Sequence, residues 1–109
     1  MPNDIYKQII QEITNELGLD EETASEFLNG YLAQLPDEIL SLKNAVESND
    51  FATGASLAHS LKGTSGNLRV MALHKITAEL EQALKNSQPD AVSRLMSELD
   101  ACVASLSAP

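Results

Sequence analysis

The chain has 109 residues, a formal net charge of −9 and a single cysteine, Cys102. A chain of this length forms one domain with a modest core, so we expect a single domain over residues 1–109. The acidic excess argues against nonspecific nucleic-acid binding, which depends on Lys and Arg contacts with phosphates. One cysteine excludes an internal disulfide and cannot form a zinc site alone. Because no apolar run approaches the roughly 20 residues that cross a bilayer, we expect a cytoplasmic protein.

The spacing of apolar residues predicts five helices, and no segment has the period-two alternation of a strand. The first helix is predicted over residues 4–17 and ends before Gly18. Its apolar face consists of four residues at near-helical spacing: Ile5, Ile9, Ile13 and Leu17. The second helix is predicted over residues 20–48, with Asp20 as its N-cap. Because the apolar stripe keeps its phase across Pro36, we expect a kink there and not a break.

The third, fourth and fifth helices are predicted over residues 50–68, 71–86 and 89–106. Asp50 is the expected N-cap of the third helix, and Pro89 suits the first turn of the fifth. The connections between these helices are short, and short connections make successive helices antiparallel neighbours. We therefore predict an all-α fold, an up-down antiparallel four-helix bundle with an additional N-terminal helix.

One histidine, His59, is predicted to point outward from the third helix, roughly 140° from the centre of its apolar stripe. Positions three, four and seven apart share a helix face, so the residues around the ring can be read from the sequence. They are small apart from Lys62: Ala52, Ala55, Ser56, Gly63 and Gly66. Each interior glycine costs a helix about 1 kcal/mol relative to alanine. This setting indicates that another protein approaches the helix backbone closely.

The segment from Phe51 to Ala78 contains no Asp or Glu. It contains three cations and both histidines of the chain: Lys62, Arg69, Lys75, His59 and His74. The sequence therefore predicts a locally basic patch on an acidic body, suited to an acidic partner surface or a phosphoryl group. His74 lacks the small neighbours of His59 and is expected to be an ordinary surface or boundary residue.

The run His59-Ser60-Leu61-Lys62-Gly63-Thr64-Ser65 resembles the signature of histidine-containing phosphotransfer (HPt) domains. In that family a His-x-Leu-Lys-Gly-x-Ser run lies on one helix of a four-helix bundle. Members also place a Glu or Gln on the next helix at a fixed spacing after the histidine, and here that residue is Glu81. The resemblance covers nearly the whole chain. It implies that His59 carries a phosphoryl group in a multistep two-component phosphorelay.

The resemblance also implies a role for Glu81, which is expected to accept a hydrogen bond from the inner ring nitrogen of His59. That contact fixes the tautomer and leaves the other nitrogen free to attack phosphorus, much as the acid of a catalytic triad orients its histidine. Glu79 and Gln82 are close in sequence and could make the contact instead. Lys62 is expected near the phosphoryl oxygens, where it offsets their charge during transfer.

Further residues are expected to support docking. Gly63 permits close approach of a partner, and Ser65 leans toward the core and supports helix packing. Partner choice is expected to depend on the surroundings of the histidine: Ala52, Ala55, Ser56, Gly66 and Arg69. Many HPt domains have Gly in place of Arg69, which either tunes partner choice or is a solvated cation favoured by the C-terminal helix dipole.

The implied partners are response-regulator receiver domains and a hybrid sensor histidine kinase. Phosphoryl transfer uses a divalent metal, but no carboxylate cluster lies near His59 to hold one. We therefore expect no cofactor in this chain and a magnesium ion on the receiver. We also expect a monomer, with no nucleic-acid or membrane partner and no ATP site, acting as a phosphotransfer intermediate and not as a turnover enzyme.

Two other classes of function are alternatives to a phosphohistidine carrier. A helical adaptor or inhibitor that docks on a receiver or histidine kinase without carrying phosphate would not need the imidazole. A metal-binding or hydrolytic bundle would need the repeated Glu and Glu-x-x-His pattern of bundle metal sites. Two histidines and one cysteine do not form that pattern. The phosphohistidine carrier is the leading hypothesis.

Overall fold

The computed structural model describes the backbone of residues 2–106 and the side chains of residues 5–106. Five helices follow in order: α1 (Pro2–Leu17), α2 (Glu21–Glu47), α3 (Phe51–Asn67), α4 (Met71–Lys85) and α5 (Pro89–Ser105). Regular secondary structure in residues 2–106 is entirely helical. None of these helices has both the length and the apolar character that crossing a membrane would require.

Helices α2 to α5 form an up-down antiparallel bundle in which each helix packs against the next, and α1 packs against α2. The bundle is elongated, with extents of 42 × 24 × 19 Å. A single apolar core receives fully enclosed side chains from every helix, among them Ile13, Leu28, Leu61, Leu80 and Leu99. Helix α2 continues through Pro36 without a break. The predicted fold class is therefore confirmed.

Helix α1 differs from the sequence prediction at its start and in its buried face. It begins at Pro2, because the first turn of a helix does not need the backbone N–H that proline lacks. Ile5 and Leu17, predicted on the apolar face, are 40% and 41% exposed. Among residues 5–17 of this helix, the buried side chains are Ile9, Ile10 and Ile13. Because α1 lies beside the α3–α4 turn and the end of α5, only its central turns face the core.

Side-chain caps fix the starts of two helices as the sequence predicts. The carboxylate of Asp20 accepts a hydrogen bond from the backbone N–H of Thr23 at 2.7 Å. Asp50 accepts from the N–H of Thr53 at 3.2 Å. Such bonds satisfy donors that the first turn leaves without partners. At the end of α1, Gly18 adopts a positive φ of 69°, which glycine tolerates without steric cost.

The three turns within the bundle share one hydrogen-bond pattern. Each passes through a non-glycine residue with positive φ: Asn49 (58°), Arg69 (62°) and Ser87 (53°). The following residue then donates its N–H to the carbonyl five residues earlier. This is the Schellman motif, in which glycine is the usual left-handed residue. Glycine would therefore fit the position of Arg69 without steric cost.

Candidate functional site

His59 lies on α3 with 67% of its side chain exposed. Beside it the surface forms a shallow depression between α3 and α4. The α3 side of this depression consists of the small residues Ala52, Ala55 and Ser56, and the α4 side consists of Glu81 and Lys85. The structure thus brings the histidine together with three of the predicted docking residues, and leaves the ring open to an approaching molecule.

Glu81 reaches the histidine ring from α4. Its Oε2 lies 3.1 Å from Nδ1 of His59, although its side chain is only 4% exposed. A carboxylate oxygen accepts, so Nδ1 carries the hydrogen and donates it, which leaves a lone pair on the outer nitrogen, Nε2. The two alternatives for this contact, Glu79 and Gln82, point into solvent on α4. The residue that the family pattern assigns, Glu81, is therefore the one that orients the ring.

Two lysines neutralise Glu81. The Nζ of Lys62 lies 2.8 Å from Oε1, and the Nζ of Lys85 lies 2.9 Å from Oε2. The hydrogen bond from Lys62 has the largest effect on the pKa of Glu81, and the hydrogen bond from Lys85 has the second largest. Together they outweigh the effect of burial and lower this pKa from 4.5 to about 2. The carboxylate is therefore ionised at neutral pH and remains an acceptor for the ring. One carboxylate and two ammonium groups leave a net positive charge beside His59, which favours a phosphoryl dianion.

Gly63 and Ser65 occupy opposite sides of α3. No atom lies within 4 Å of the position that a Cβ on Gly63 would take, so the backbone is open to solvent there. Ser65 is fully buried, and its hydroxyl donates to the carbonyl of Leu61 at 2.6 Å. Its hydrogen bonds are to the backbone of its own helix, as expected for a residue that supports packing.

The structure places Gly66 away from the depression beside His59. A Cβ on Gly66 would lie 2.9 Å from Nδ1 of His74 on α4. That ring nitrogen donates to the backbone carbonyl of Lys62 at 2.9 Å. A histidine of the same chain therefore occupies the space that a side chain at Gly66 would take, and partner docking at Gly66 stays a prediction. His74 is half-buried at this boundary.

Arg69 is also separate from His59. It forms an ion pair with Glu16 of α1, and its Nη1 donates to the carbonyl of Gly66 at 2.9 Å. The side chain lies outside the depression beside the histidine and links the α3–α4 turn to α1. Its effect on partner choice stays a prediction. Because Lys62 and Arg69 both pair with carboxylates from outside the acid-free segment, the basic patch is smaller than the sequence predicts.

Sequence reasoning missed Lys85. The signal that could have found it is its position one helical turn after Glu81, since Glu followed by Lys at this spacing forms ion pairs on a helix. Because Glu81 was predicted to contact His59, a lysine expected to pair with Glu81 could also have been predicted to lie beside His59.

Comparisons with known proteins agree with this geometry. A sequence model of the family described as "Hpt domain" matches residues 26–109, a range that includes His59, Lys62 and Glu81. The chain is also similar to phosphotransferase RcsD of Escherichia coli (strain K12), with 29% identity over 107 residues. The alignment covers 94% of this chain but only 12% of RcsD. No solved structure gives a significant match. The chain therefore belongs to the Hpt domain family.

Proposed function

We propose that this chain is a phosphohistidine carrier in a multistep two-component phosphorelay. His59 accepts a phosphoryl group from the aspartate of one receiver domain and passes it to the aspartate of another. The observation that carries this proposal is the exposed ring of His59, whose Nδ1 is bonded to the buried carboxylate of Glu81. This arrangement supports a nucleophile whose Nε2 is bare and directed outward.

The transfer step follows from the donors and acceptors at this site. The Nε2 lone pair of His59 attacks phosphorus, the bond from phosphorus to the aspartyl oxygen breaks, and the aspartate leaves as a carboxylate. The hydrogen on Nδ1 stays in its bond to Glu81, so the positive charge that develops on the ring faces an ionised carboxylate. Lys62 pairs with the same carboxylate as the ring, and in this proposal its ammonium group stabilises the phosphoryl oxygens. The reverse sequence delivers the group to the second receiver.

Receiver domains and a hybrid sensor histidine kinase are the partners in this proposal, and the receiver supplies both its acidic pocket and a magnesium ion. The net positive cluster at Glu81 supports binding to an acidic pocket. The small side chains of Ala52, Ala55 and Ser56, together with the open backbone at Gly63, leave room for a second protein. We further propose that the carrier acts as a cytoplasmic monomer.

The test uses purified chain incubated with each phosphorylated receiver domain of the source organism. We expect at least one receiver to transfer a phosphoryl group to the chain, in a bond that is labile to acid and stable to base, as a phosphoramidate is. His59→Gln should abolish this transfer. The matched control is His74→Gln, which alters the chain's other histidine and should still accept phosphate.

Phosphorylation of the His59→Gln variant would refute the proposal. Binding of a receiver to the unaltered chain without any phosphorylation would instead favour the docking adaptor or inhibitor.

A further inference from the structure

We infer that Lys85 is a positioning residue for His59 and acts through Glu81, an inference that rests on the proposed role of His59 as phosphoacceptor. Lys85 lies outside the His-x-Leu-Lys-Gly-x-Ser run and on a different helix from the histidine. Its place at the site follows from a contact that only the folded chain creates.

The side chains of Lys85 and His59 share one oxygen atom. Oε2 of Glu81 lies 2.9 Å from Nζ of Lys85 and 3.1 Å from Nδ1 of His59, whereas Lys62 occupies Oε1. Each carboxylate oxygen has two lone-pair directions, so Oε2 can accept both donors at once. Lys85 thereby limits the directions from which the ring can bond to Glu81, and it holds the carboxylate in place from the solvent side.

The charge of Lys85 also acts on the ring. The ionisable groups that face His59 among the described residues are Lys62 on α3 and Glu81 and Lys85 on α4. The other residues beside the ring, Ala52, Ala55 and Ser56, carry no charge. With both lysines present the cluster has a net positive charge toward a phosphoryl group that approaches the ring. Without Lys85, the charges of Glu81 and Lys62 balance, and that net positive charge is lost.

Orientation matters because the ring must keep its hydrogen on Nδ1 to leave the Nε2 lone pair free to attack phosphorus. Lys85 holds the carboxylate that selects this tautomer. Because the same pair also stabilises a buried charge, the tests below measure the ring and the transfer reaction, not stability.

The first test is an NMR measurement of which ring nitrogen of His59 carries the hydrogen in the purified chain, read from the nitrogen chemical shifts of the uncharged ring. The unaltered chain should carry the hydrogen on Nδ1, the atom that lies 3.1 Å from Oε2 of Glu81. Lys85→Met removes the second donor to that oxygen. We therefore expect the share of this tautomer to fall and the form with hydrogen on Nε2 to appear.

Two variants control this measurement. Lys75→Met removes the same charge from the same helix about 15 Å away along its axis and should leave the tautomer of His59 unchanged. Lys85→Arg keeps the charge and the donor and should restore the tautomer of the unaltered chain. Equal tautomer shares in Lys85→Met and Lys75→Met would overturn the inference.

The second test is the rate of phosphotransfer from a receiver that phosphorylates the unaltered chain. Since both donors lie about 3 Å from Oε2, Lys85 is no more than about 6 Å from the ring, and the loss of one charge at that distance should lower the rate by about threefold or more. Lys85→Arg and Lys75→Met should transfer at nearly the rate of the unaltered chain. Equal rates for Lys85→Met and Lys75→Met would overturn the inference. If the unaltered chain is never phosphorylated, the proposed function fails, while the tautomer measurement still decides whether Lys85 acts on His59.

Discussion

At the scale of single residues, the site is organised around one buried carboxylate. Glu81 is 3% exposed, and an ionised group this deep is stable only when it is paired and hydrogen-bonded. Lys62, Lys85 and His59 supply those bonds from two helices. The interaction that stabilises the α3–α4 contact is therefore the same one that orients the nucleophile, so changes at Glu81 affect both stability and chemistry.

Replacing Glu81 with Gln should show how much the ionised carboxylate contributes to stability, because that contribution depends on pH. The pKa of Glu81 falls from 4.5 to about 2 on folding, so its contribution to the free energy of unfolding is present above the unfolded value and is lost as the pH falls toward the folded one. We expect the unaltered chain to be more stable than Glu81→Gln near neutral pH, and this difference to shrink between those two values. Urea unfolding followed by circular dichroism at several pH values measures it.

Glu79→Gln provides the control, because Glu79 is exposed on the same helix and its substitution should produce no such narrowing. A stability difference between the unaltered chain and Glu81→Gln that stays constant from neutral to acidic pH would contradict the prediction.

The exposure of His59 and its contact with Glu81 could be predicted from the sequence, because both depend on the spacing of residues along the chain. His59 lies opposite the apolar stripe of its own helix, and the family pattern assigns its partner on the next helix. Gly66 could not be interpreted the same way. A glycine in a helix signals close approach by something, but only the packing of α4 shows that the ring of His74 fills the space. Helical spacing describes one helix face and does not say which neighbour covers it.

At the scale of the elements, the three turns within the bundle share a left-handed residue, and in each turn that residue is not glycine. The left-handed conformation costs a residue with a Cβ about 1 kcal/mol or more relative to glycine. Arg69 offsets this cost with its contacts to Glu16 and to the carbonyl of Gly66. Ser87, in the α4–α5 turn, is exposed and has a φ of 53°. A glycine in the α4–α5 turn should therefore increase the stability of the fold more than one in the α3–α4 turn.

We expect Ser87→Gly to raise the free energy of unfolding by about 0.5 to 1 kcal/mol, the relief of left-handed strain less the greater freedom of glycine in the unfolded chain. Ser97→Gly is the matched control. Ser97 is exposed on α5, where glycine should lower the free energy of unfolding by about 0.5 to 1 kcal/mol. Urea unfolding of the two variants measures both effects. A loss of stability in both would contradict the left-handed strain at Ser87.

The five helices follow from the sequence because caps and apolar periodicity are local signals. Asp20, Asp50 and Gly18 act where they were expected. The buried face of α1 was harder to predict. The isoleucines of α1 fit more than one apolar stripe at helical spacing. The burial of Ile10 and the exposure of Ile5 depend on how α1 crosses the end of the bundle. The way in which α1 crosses the bundle is set by tertiary packing, and the spacing of apolar residues within α1 does not reveal it.

At the scale of the whole molecule, α1 extends the bundle beyond the residues that the family match covers, which begin at residue 26. Its three buried isoleucines join the common core, and Glu16 pairs with Arg69 in the α3–α4 turn. The fold class was predictable as a whole. The sequence did not reveal that α1 packs into the same core, because its apolar face is short and its ends are exposed.

The single-domain prediction leads to a test of α1. Ile13 is fully buried in the core. Ile13→Ala should therefore lower the free energy of unfolding of the whole chain by about 2 to 4 kcal/mol, through lost burial and the cavity that remains. Ile5 lies on the same helix but is exposed, and Ile5→Ala should cost less than about 1 kcal/mol.

Spectroscopy can follow α1 separately from the rest of the bundle. The chain has no Trp and two tyrosines, Tyr6 on α1 and Tyr31 on α2, so tyrosine fluorescence reports on both helices. If all five helices form one cooperative unit, urea transitions followed by fluorescence and by circular dichroism coincide, and Ile13→Ala shifts them together. An early, separate loss of α1 in that variant, with the main transition unmoved, would instead make α1 an appendage of an independent four-helix bundle.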